Sequence, residues 1–380
     1  MRLILVAGQY HPIQGGSETF ARRLAESLVK DDHEVEVWTR LVDPRVPRAE
    51  TLGGVRIRRL GPPWAPGRRS LRRVEDLIFV ARLMTGLRLA SGVDLVFANQ
   101  LQYPAAAMAL ALGTSRVPCV ARAAGSGGSS EFRFNSPFQR LLQGMLLKGL
   151  RRVVALGPAT YSECVRVGFK SSQVSIIPNG TVVADRAPTL QEPGIRALWV
   201  GRFRSEKRAD LAISAWLARS RGGELLVVGD GPESAMVNNL ARGAGNVRFA
   251  GPVSDPTDLY ERSNVFVQTS DAEGMSNALI EAMAAGCACV ATAVGETASV
   301  LGDDGSEALP ERGRFRRLPA GLIINPGDQA ALDEALVALA DPSLRNELGA
   351  AAHSRCLEHY RIEDIARRYA LLFASLRTSF

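Results

Sequence analysis

Two carboxylates stand close together in the segment SDAEGMSNALIEAMAAG, residues 270–286. The segment follows the strand-like run NVFVQTS, so Glu273 falls in the loop at the carboxyl end of a strand and Glu281 about one turn inside the next helix. A carboxylate inside the helix can accept two hydrogen bonds from a vicinal diol such as that of a ribose. The loop carboxylate can reach a sugar hydroxyl on the far side of a diphosphate. The spacing therefore predicts a site for a nucleotide-linked sugar.

The residues between the two acids favour an anion-binding helix N-terminus. Gly274 and Met275 lead to Ser276 and Asn277, where the helix is predicted to begin, and unpaired N–H groups at such a position attract phosphate. A capping-box acid would belong at position 279 or 280, and neither position holds one, so helix stability does not account for Glu281. The alternative is a surface glutamate followed by one that only complements the helix dipole.

Basic residues and glycines elsewhere suit the same ligand. Arg202 and Lys207 follow another strand-like run and offer a guanidinium fork and a point charge to a diphosphate leaving group. Gly15 and Gly16 follow the first strand-like run and let the backbone approach a ligand closely. The simpler interpretations are an exposed pair of loop cations and a plain tight turn.

Strand-like and helix-like runs alternate along the chain, which predicts an α/β fold with parallel sheets covered by helices. The alternation pauses at IPNGTVV, residues 177–183, and then restarts, so two such domains are expected. The predicted strands cover residues 3–8, 34–39, 55–60, 94–99, 117–122, 152–156, 197–203, 224–233, 246–251, 264–270 and 287–292.

The composition is that of a globular protein with two domains, since the 380 residues are 46% hydrophobic and 22% charged. No apolar run approaches the ~20 residues that span a bilayer. The five cysteines form no C-x-x-C pair. We therefore expect a reduced, cytoplasmic chain without a metal site.

The positive charge is concentrated in the first half of the chain. Residues 1–190 carry 26 Lys and Arg against 14 Asp and Glu, whereas the remainder carries 20 against 25. The run 70–90 predicts an amphipathic helix with an apolar stripe from Leu71 to Leu87, and several arginines lie off that stripe or just before it. The helix either faces the core with a solvated basic side, or meets anionic lipid or a phosphate-bearing acceptor at the inner face of a membrane. No nucleic-acid partner is expected.

The ordered set of motifs resembles the retaining GT-B glycosyltransferases of glycosyltransferase family 4. The two acids form E-x7-E followed by AMAAG, GGSE (15–18) follows the first strand, and IPNG (177–180) opens the second half. VGRFRSEK (200–207) and VGDGPE (228–233) resemble that family's G-R-x-x-x-x-K and G-x-G-P segments. The resemblance covers nearly the whole chain.

The resemblance implies a fold of two Rossmann-like domains that face each other across a cleft. Residues 1–183, with a C-terminal helix at about 362–380 crossing back, would form the acceptor-binding domain. Residues 184–361 would form the nucleotide-sugar-binding domain.

The resemblance also implies roles for individual residues. Glu281 would hold the ribose and Glu273 the transferred sugar, while Arg202 and Lys207 would stabilise the departing diphosphate. Ser276, with its neighbours 274, 275 and 277, would offer backbone N–H groups to the distal phosphate. Transfer would proceed with retention of the anomeric configuration, without a metal or a cofactor, and the diphosphate would take the acceptor's proton.

The sequence departs from the family at one place. Many members carry a His after the fifth strand, roughly where residues 122–126 stand, and this chain has none there. Arg122 is expected to meet an acceptor phosphate or carboxylate instead, and His11 is either a partial substitute for the missing His or a loop His without a role in the site. The polar segment 125–136 is either an acceptor loop or a flexible connection.

The expected function is transfer of a hexose-type sugar from a nucleotide-diphosphate sugar to a glycan, lipid-linked or small-molecule acceptor. The main alternative is a non-catalytic nucleotide-sugar binding protein. An NAD-dependent oxidoreductase is disfavoured because no G-x-G-x-x-G follows the first strand.

Overall fold

A computed structural model describes the chain except for residues 14, 64–68, 114, 126–130, 132–135, 187–193, 219–221, 304, 306–308 and 378–380, and except for the side chains of residues 69–73. Most of the predicted acceptor loop at 125–136 therefore lies outside the described residues. The same holds for Arg68 and for the side chains of the other arginines that precede or open the predicted basic helix.

The chain divides into two compact units. The first contains Met1–Asn179 and the segment from Ile362 onward, and the second contains Gly180–Arg361. The division falls inside the predicted linker IPNGTVV, slightly before the predicted boundary at 183/184. The outgoing and returning segments run side by side, because Thr181 and Arg361 form a parallel bridge.

Within the described residues, the strands of the first unit are β1 (Arg2–Ala7), β2 (Glu34–Arg40), β3 (Ala49–Leu52), β4 (Val55–Leu60), β5 (Leu95–Ala98), β6 (Cys119–Ala123), β7 (Arg152–Ala155) and β8 (Val174–Ile176). They form one sheet in the order β3-β4-β2-β1-β5-β6-β7-β8. Only β3 is antiparallel to its neighbour, at the edge of the sheet. Five of the six residues of β1 are buried, as expected of a central parallel strand covered on both faces.

The helices of this part are α1 (Gly16–Lys30), α2 (Arg69–Leu89), α3 (Tyr103–Leu112), α4 (Pro137–Gly149) and α5 (Pro158–Val167). The residues Phe20 and Leu24 of α1 belong to the core on one face of the sheet. The residues Phe79 of α2 and Met108 of α3 belong to the core on the other face. The first unit is thus a three-layer Rossmann-like domain.

The strands of the second unit are β9 (Arg196–Val200), β10 (Glu224–Val228), β11 (Val247–Gly251), β12 (Val265–Gln268), β13 (Ala288–Thr292), β14 (Arg316–Leu318) and β15 (Gly321–Ile324). Its helices are α6 (Ala209–Leu217), α7 (Ser234–Leu240), α8 (Thr257–Glu261), α9 (Asn277–Ala284), α10 (Thr297–Val300), α11 (Gln329–Ala338) and α12 (Pro342–His359), and the helix that follows them, α13 (Ile362–Arg377), belongs to the first unit. The strand order is β11-β10-β9-β12-β13-β15-β14, with β14 antiparallel to β15 at the edge. This unit is a second Rossmann-like domain, and the predicted α/β fold class is confirmed.

The C-terminal helix α13 is part of the first unit. Its Tyr369 ring lies 5.3 Å from the Phe97 ring and 6.3 Å from the Phe20 ring, measured between centroids. Phe373 lies 5.6 Å from Phe97. These aromatic contacts join α13 to α1 and to the central strand β5, so the helix completes a face of the first sheet.

The side of α2 that faces the core differs from the predicted stripe. Leu87 of the predicted stripe is buried together with Phe79 and Leu83, which the stripe did not include, whereas Val74 and Leu77, which the stripe placed inside, are 52% and 68% exposed. Apolar residues lie around much of this helix, so periodicity alone does not choose the buried side. The inward register places an apolar strip on the outer face. In the part of the chain that the structure describes, no helix is both long and apolar enough to cross a membrane.

Candidate functional site

The second sheet reverses its strand order between β9 and β12. Ligands of open α/β sheets bind at the carboxyl ends of the strands beside such a switch point. Arg202 and Lys207 lie in the segment that follows β9, and Glu273 lies in the loop that follows β12. The three residues predicted to be catalytic therefore come from the two strands that flank the switch point of the second unit.

Lys207 and Glu273 form an ion pair between Lys207 Nζ and Glu273 Oε1. The Ser270 hydroxyl donates a 2.8 Å hydrogen bond to the same carboxylate oxygen. The side chains of Lys207 and Glu273 are 28% and 12% exposed. The acid is therefore largely covered, whereas the cation that it bonds keeps part of its side chain exposed.

The helix after this loop begins at the predicted residue. Ser276 is the N-cap of α9, and its hydroxyl accepts a 3.3 Å hydrogen bond from the N–H of Leu279. Gly286 follows the end of the helix with φ of 77°, in the left-handed region that favours glycine. Glu281 lies on α9 and is half-buried. The ribose contact predicted for Glu281 stays a prediction.

The loop residues just before α9 offer backbone rather than side chains. Met275 and Ser276 are each 8% exposed. The Gly274 carbonyl accepts a 2.8 Å hydrogen bond from the N–H of Glu296, which holds the loop against the start of α10. Asn277 is the first residue of the helix. Ligand contact through this segment would use its N–H groups, as the sequence predicts, and that contact is untested.

Arg202 lies beside a small concavity in the second unit. The Arg202 side chain is exposed. The pKa of Asp230 is lowered, first by the Ser234 hydroxyl and the Gly231 N–H and to a smaller extent by Arg202. The concavity has a volume of about 160 Å³ and is lined by Phe203, Gly229, Asp230, Ser234, Asn238, Phe249, Gly251 and Pro252. Arg202 is thus within electrostatic range of one wall of this pocket.

Gly229 of the VGDGPE segment is required by close backbone packing. A β-carbon at Gly229 would lie 1.8 Å from the carbonyl oxygen of Gly201. The Gly229 N–H donates a 2.9 Å hydrogen bond to the carbonyl of Gly251. A side chain at this position would displace the segment that carries Arg202. Gly229 therefore allows the lining of the concavity to pack directly against that segment.

The first sheet has its own switch point, between β1 and β5. Gly15 is the N-cap of α1 and has an extended backbone with φ of −176°, which any residue adopts. A β-carbon on Gly15 would meet only the flexible carboxylate of Glu18, at 2.4 Å. Packing therefore does not demand glycine here, and close approach of a ligand stays the explanation predicted for Gly15 and Gly16.

Arg122 lies at the same switch point and is bonded on every side. Its Nε donates to the Asn99 carbonyl at 3.1 Å and its Nη2 to Ser17 Oγ at 3.1 Å. Its Nη1 donates to Asn179 Oδ1. The guanidinium carbon lies 4.2 Å from the centroid of the Phe20 ring. All of these partners belong to the first unit.

These bonds correct the expectation for Arg122. The residue is 1% exposed, and burial lowers the pKa of its guanidinium. A guanidinium with its three nitrogens bonded to the protein is a structural group, so the predicted contact with an acceptor phosphate or carboxylate is not supported. His11, the other predicted substitute for the missing His, accepts a 2.8 Å hydrogen bond from Arg59 through its backbone carbonyl.

Two residues near Lys207 escaped the sequence prediction. Thr269 is fully buried and its hydroxyl lies 2.7 Å from the Arg208 carbonyl. Arg208 adopts φ of 50° although it is not glycine, and it forms ion pairs with Asp210 and Asp271. The one available signal was a hydroxyl residue at the end of a buried strand, where ligand loops begin.

The structure thus brings together part of the predicted site. Lys207 and Glu273 are in contact, and Glu281 lies on the helix that follows the Glu273 loop. Arg202 interacts with the wall of the neighbouring concavity. Gly15, Gly16 and Arg122 belong to the first unit.

Two family models match the chain, one for each unit. The model described as "Glycosyl transferase 4-like domain" matches residues 15–180, and the model described as "Glycosyl transferases group 1" matches residues 194–341. The two matches follow the observed division of the chain at Asn179 and Gly180.

Curated relatives match the chain at modest identity. N-acetyl-alpha-D-glucosaminyl L-malate synthase of Bacillus anthracis is 27% identical over 46% of this chain and 44% of that protein. Lipopolysaccharide core biosynthesis glycosyltransferase LpsE of Rhizobium meliloti is 29% identical over 59% of this chain and 64% of that protein. Phosphatidyl-myo-inositol mannosyltransferase of Mycolicibacterium smegmatis is 28% identical over 82% of this chain and 81% of that protein. The matches to the first two thus span less than two thirds of those relatives.

Solved structures share the fold over nearly the full length. Sucrose-phosphate synthase of Thermosynechococcus elongatus matches with a TM-score of 0.80 and 22% identity, covering 100% of both chains. Anabaena HepE in complex with UDP matches with a TM-score of 0.73 and 18% identity, covering 99% of this chain and 100% of that chain. The chain therefore has the GT-B fold, and its first unit matches the glycosyl transferase 4-like domain while its second matches the glycosyl transferases group 1 domain.

Proposed function

We propose that the protein is a retaining glycosyltransferase that moves a hexose-type sugar from a nucleotide-diphosphate sugar to a hydroxyl-bearing acceptor. The observation that carries the proposal is the Lys207–Glu273 pair at the switch point of the second sheet. A carboxylate there can accept hydrogen bonds from the sugar, and the cation beside it can meet the diphosphate. The concavity beside Arg202, which Gly229 and Gly251 help to line, is the proposed site of the base.

The proposed mechanism is electrostatic. As the bond between the sugar and the diphosphate breaks, negative charge grows on the leaving oxygen, and Lys207, Arg202 and the N-terminus of α9 stabilise it without a metal. The departing diphosphate then takes the proton from the acceptor hydroxyl, whose oxygen attacks the same face of the sugar. Glu281 would hold the ribose through its diol.

Nucleotide and donor panels test this proposal. Thermal melting with UDP, GDP, ADP and dTDP should show a rise in Tm with at least one of them, and labelled donors with that base should then be cleaved. Retention is checked by NMR of the anomeric proton of the product. A nucleotide that binds while no donor is hydrolysed or transferred would favour the non-catalytic binding protein. Failure of all four nucleotides to raise the Tm would remove the donor assignment.

We also propose that the acceptor is a glycan or a lipid-linked molecule, met at an anionic membrane surface through the outer face of α2. Val74, Leu77 and Ile78 are 52%, 68% and 38% exposed on that face. Arg82 and Arg88, further along the same helix, are exposed as well. An apolar strip accompanied by cations is typical of a helix that lies in a membrane interface.

Vesicle co-sedimentation tests this contact. The protein should sediment with vesicles that contain phosphatidylglycerol and stay in solution with pure phosphatidylcholine vesicles. Leu77→Glu should abolish sedimentation, because it places a negative charge in the strip. Leu371→Glu is the matched control, since Leu371 is 71% exposed on α13 instead. Equal loss in both variants, or sedimentation with neutral vesicles alone, would contradict the proposal.

A further inference from the structure

The segment after β9 and the loop after β12 are tied together by one buried hydroxyl. Thr269 Oγ1 lies 2.7 Å from the carbonyl oxygen of Arg208 and 3.1 Å from that of Lys207, so its proton is shared between them. The same oxygen accepts a 3.1 Å hydrogen bond from the Trp199 indole N–H. Thr269 therefore joins the end of one strand to the backbone that carries the catalytic cation.

The backbone at this point needs such support. Arg208 has φ of 50° and ψ of 47°, a left-handed conformation that residues with a β-carbon adopt reluctantly. Its guanidinium bonds Asp271, with 3.3 Å between Nη1 and Oδ2. The N–H of Asp271 in turn donates a 2.8 Å hydrogen bond to the Glu206 carbonyl. The Thr269 hydroxyl, the Arg208–Asp271 ion pair and the backbone hydrogen bond from Asp271 to Glu206 therefore hold the two segments together at three adjacent positions.

We propose that Thr269 is a positioning residue that aims the Lys207 ammonium at Glu273 and at the diphosphate. Its side chain is fully buried, so it acts through Lys207 rather than on the ligand. With the hydroxyl removed, the Lys207 carbonyl loses this donor, the Arg208 carbonyl keeps only the 3.1 Å bond from the N–H of Leu211, and the left-handed turn loses its anchor to the loop after β12. The catalytic consequence rests on the proposed function, whereas the geometric consequence does not.

Two substitutions of Thr269 separate the effect of its hydroxyl from the effect of its branched shape. Thr269→Val keeps the branched shape and removes the hydroxyl, and Thr269→Ser keeps the hydroxyl. With UDP-glucose as the donor probe, we expect kcat for Thr269→Val to fall about 10- to 100-fold, because small misplacements of a catalytic group cost about that much. KM for the donor should stay within about twofold, and Thr269→Ser should restore kcat. Equal loss of kcat in both variants, or a change confined to KM, overturns the proposal.

Crystal structures of the same variants provide a readout that is independent of transfer. We expect the Lys207–Glu273 contact to be lost in Thr269→Val and kept in Thr269→Ser. A valine variant that keeps the contact overturns the proposal, whatever its activity. A lost contact in a protein whose wild-type form cleaves no UDP-sugar supports the positioning role while counting against the proposed function.

Further variants guard against simple loss of folding. Thr160→Val removes another fully buried hydroxyl, in the first unit, and should leave kcat within about twofold of wild type. Asp271→Asn breaks only the exposed end of the connection and keeps the fold. We expect it to lower kcat a few-fold with the donor KM unchanged. Wild-type kcat in Asp271→Asn, together with failure of Thr269→Val to fold, would overturn the proposal.

Discussion

The two sheets reverse their strand order at corresponding places but fill those places differently. Between β1 and β5, Arg122 and Asn99 are 1% and 2% exposed, and their polar groups bond to one another and to Ser17 and Asn179. Between β9 and β12, Lys207 keeps 28% of its side chain exposed while Glu273 holds it. The switch point of the first sheet is filled by buried side chains that bond to one another, whereas the switch point of the second sheet carries the partly exposed side chain of Lys207.

The difference shows how a charged residue at a switch point can be interpreted. A cation whose donors all end on protein acceptors maintains the fold, because each of those acceptors would otherwise be buried without a partner. A cation with one fixed partner and an open side has donors left for a ligand. Arg122 lies at the end of β6 and Lys207 in the segment that follows β9, and it is their surroundings that distinguish the two cations.

The largest effects are expected when each of the two cations is replaced by Met. We expect Lys207→Met to lower kcat about 100- to 1000-fold, because it removes a charge aimed at the leaving group. Its stability should change by less than about 1 kcal/mol, as is typical of partly exposed ion pairs. Steady-state kinetics and thermal melting of the same preparation measure both. A strong loss of stability at unchanged kcat would place Lys207 in the structural class.

Arg122→Met should show the opposite behaviour. The Asn99 carbonyl and Asn179 Oδ1 would lose the Arg122 donor, and Ser17 Oγ would keep only its bond from Asn99 Nδ2, so we expect the free energy of unfolding of the first unit to fall by about 2–4 kcal/mol. Urea unfolding, followed by hydrogen exchange in the first unit, measures this change. The kcat of the folded fraction should stay within a few-fold of wild type. Normal stability with a raised acceptor KM would restore the acceptor role that the sequence predicts.

Glu281→Ala tests the proposed ribose contact in the second unit. If Glu281 holds the ribose through charge-assisted hydrogen bonds, its loss should raise the Kd of the bound nucleoside diphosphate about 10-fold or more. Isothermal titration calorimetry measures the affinity. Glu358→Ala is a matched control on α12, where the side chain is 74% exposed. An unchanged Kd in Glu281→Ala would argue against the ribose role.

The smallest expected effect is a dependence of the stability of the first unit on pH. Burial raises the pKa of Glu131 from 4.5 to about 7, against the opposing effects of the Gly125 N–H and of Arg122. The folded chain therefore holds this proton after the unfolded chain has released it. The contribution of Glu131 to stability is complete below pH 4.5 and is lost as pH rises toward 7.

The total loss is about 1–3 kcal/mol for a shift of this kind. Thermal or urea unfolding between pH 4 and pH 8 should show the decline in wild type and a flatter profile in Glu131→Gln. Parallel profiles in the two proteins would mean that other groups dominate the titration.

The sequence predicts the fold well where strands are long and buried. The predicted runs at 34–39, 55–60 and 287–292 correspond closely to β2, β4 and β13. The unpredicted strands β3, β8, β14 and β15 have three or four residues each. Such short strands carry too few residues for a period-2 pattern, and their pairing depends on the neighbour that the fold supplies.

The site is predicted less completely, because its decisive features are contacts between distant segments. Motif spacing indicates that Glu273 and Lys207 belong to one site, but their ion pair joins residues 66 positions apart in the chain. The burial of Arg122 has no sequence signal, because an arginine at the end of a strand has the same pattern whether it is exposed or enclosed. Thr269 was missed for a related reason, since its partners are backbone carbonyls of another segment.

The position of α13 has a consequence for biosynthesis. The aromatic wall formed by Tyr369 and Phe373 on Phe97 joins the first unit only after the ribosome has translated all of the second. The nascent N-terminal sheet therefore emerges with one face incompletely covered, whereas Gly180–Arg361 is a continuous stretch that can fold as it emerges. The unit synthesised second is able to finish folding first, and shielding of the uncovered face during translation falls to chaperones or to the speed of elongation.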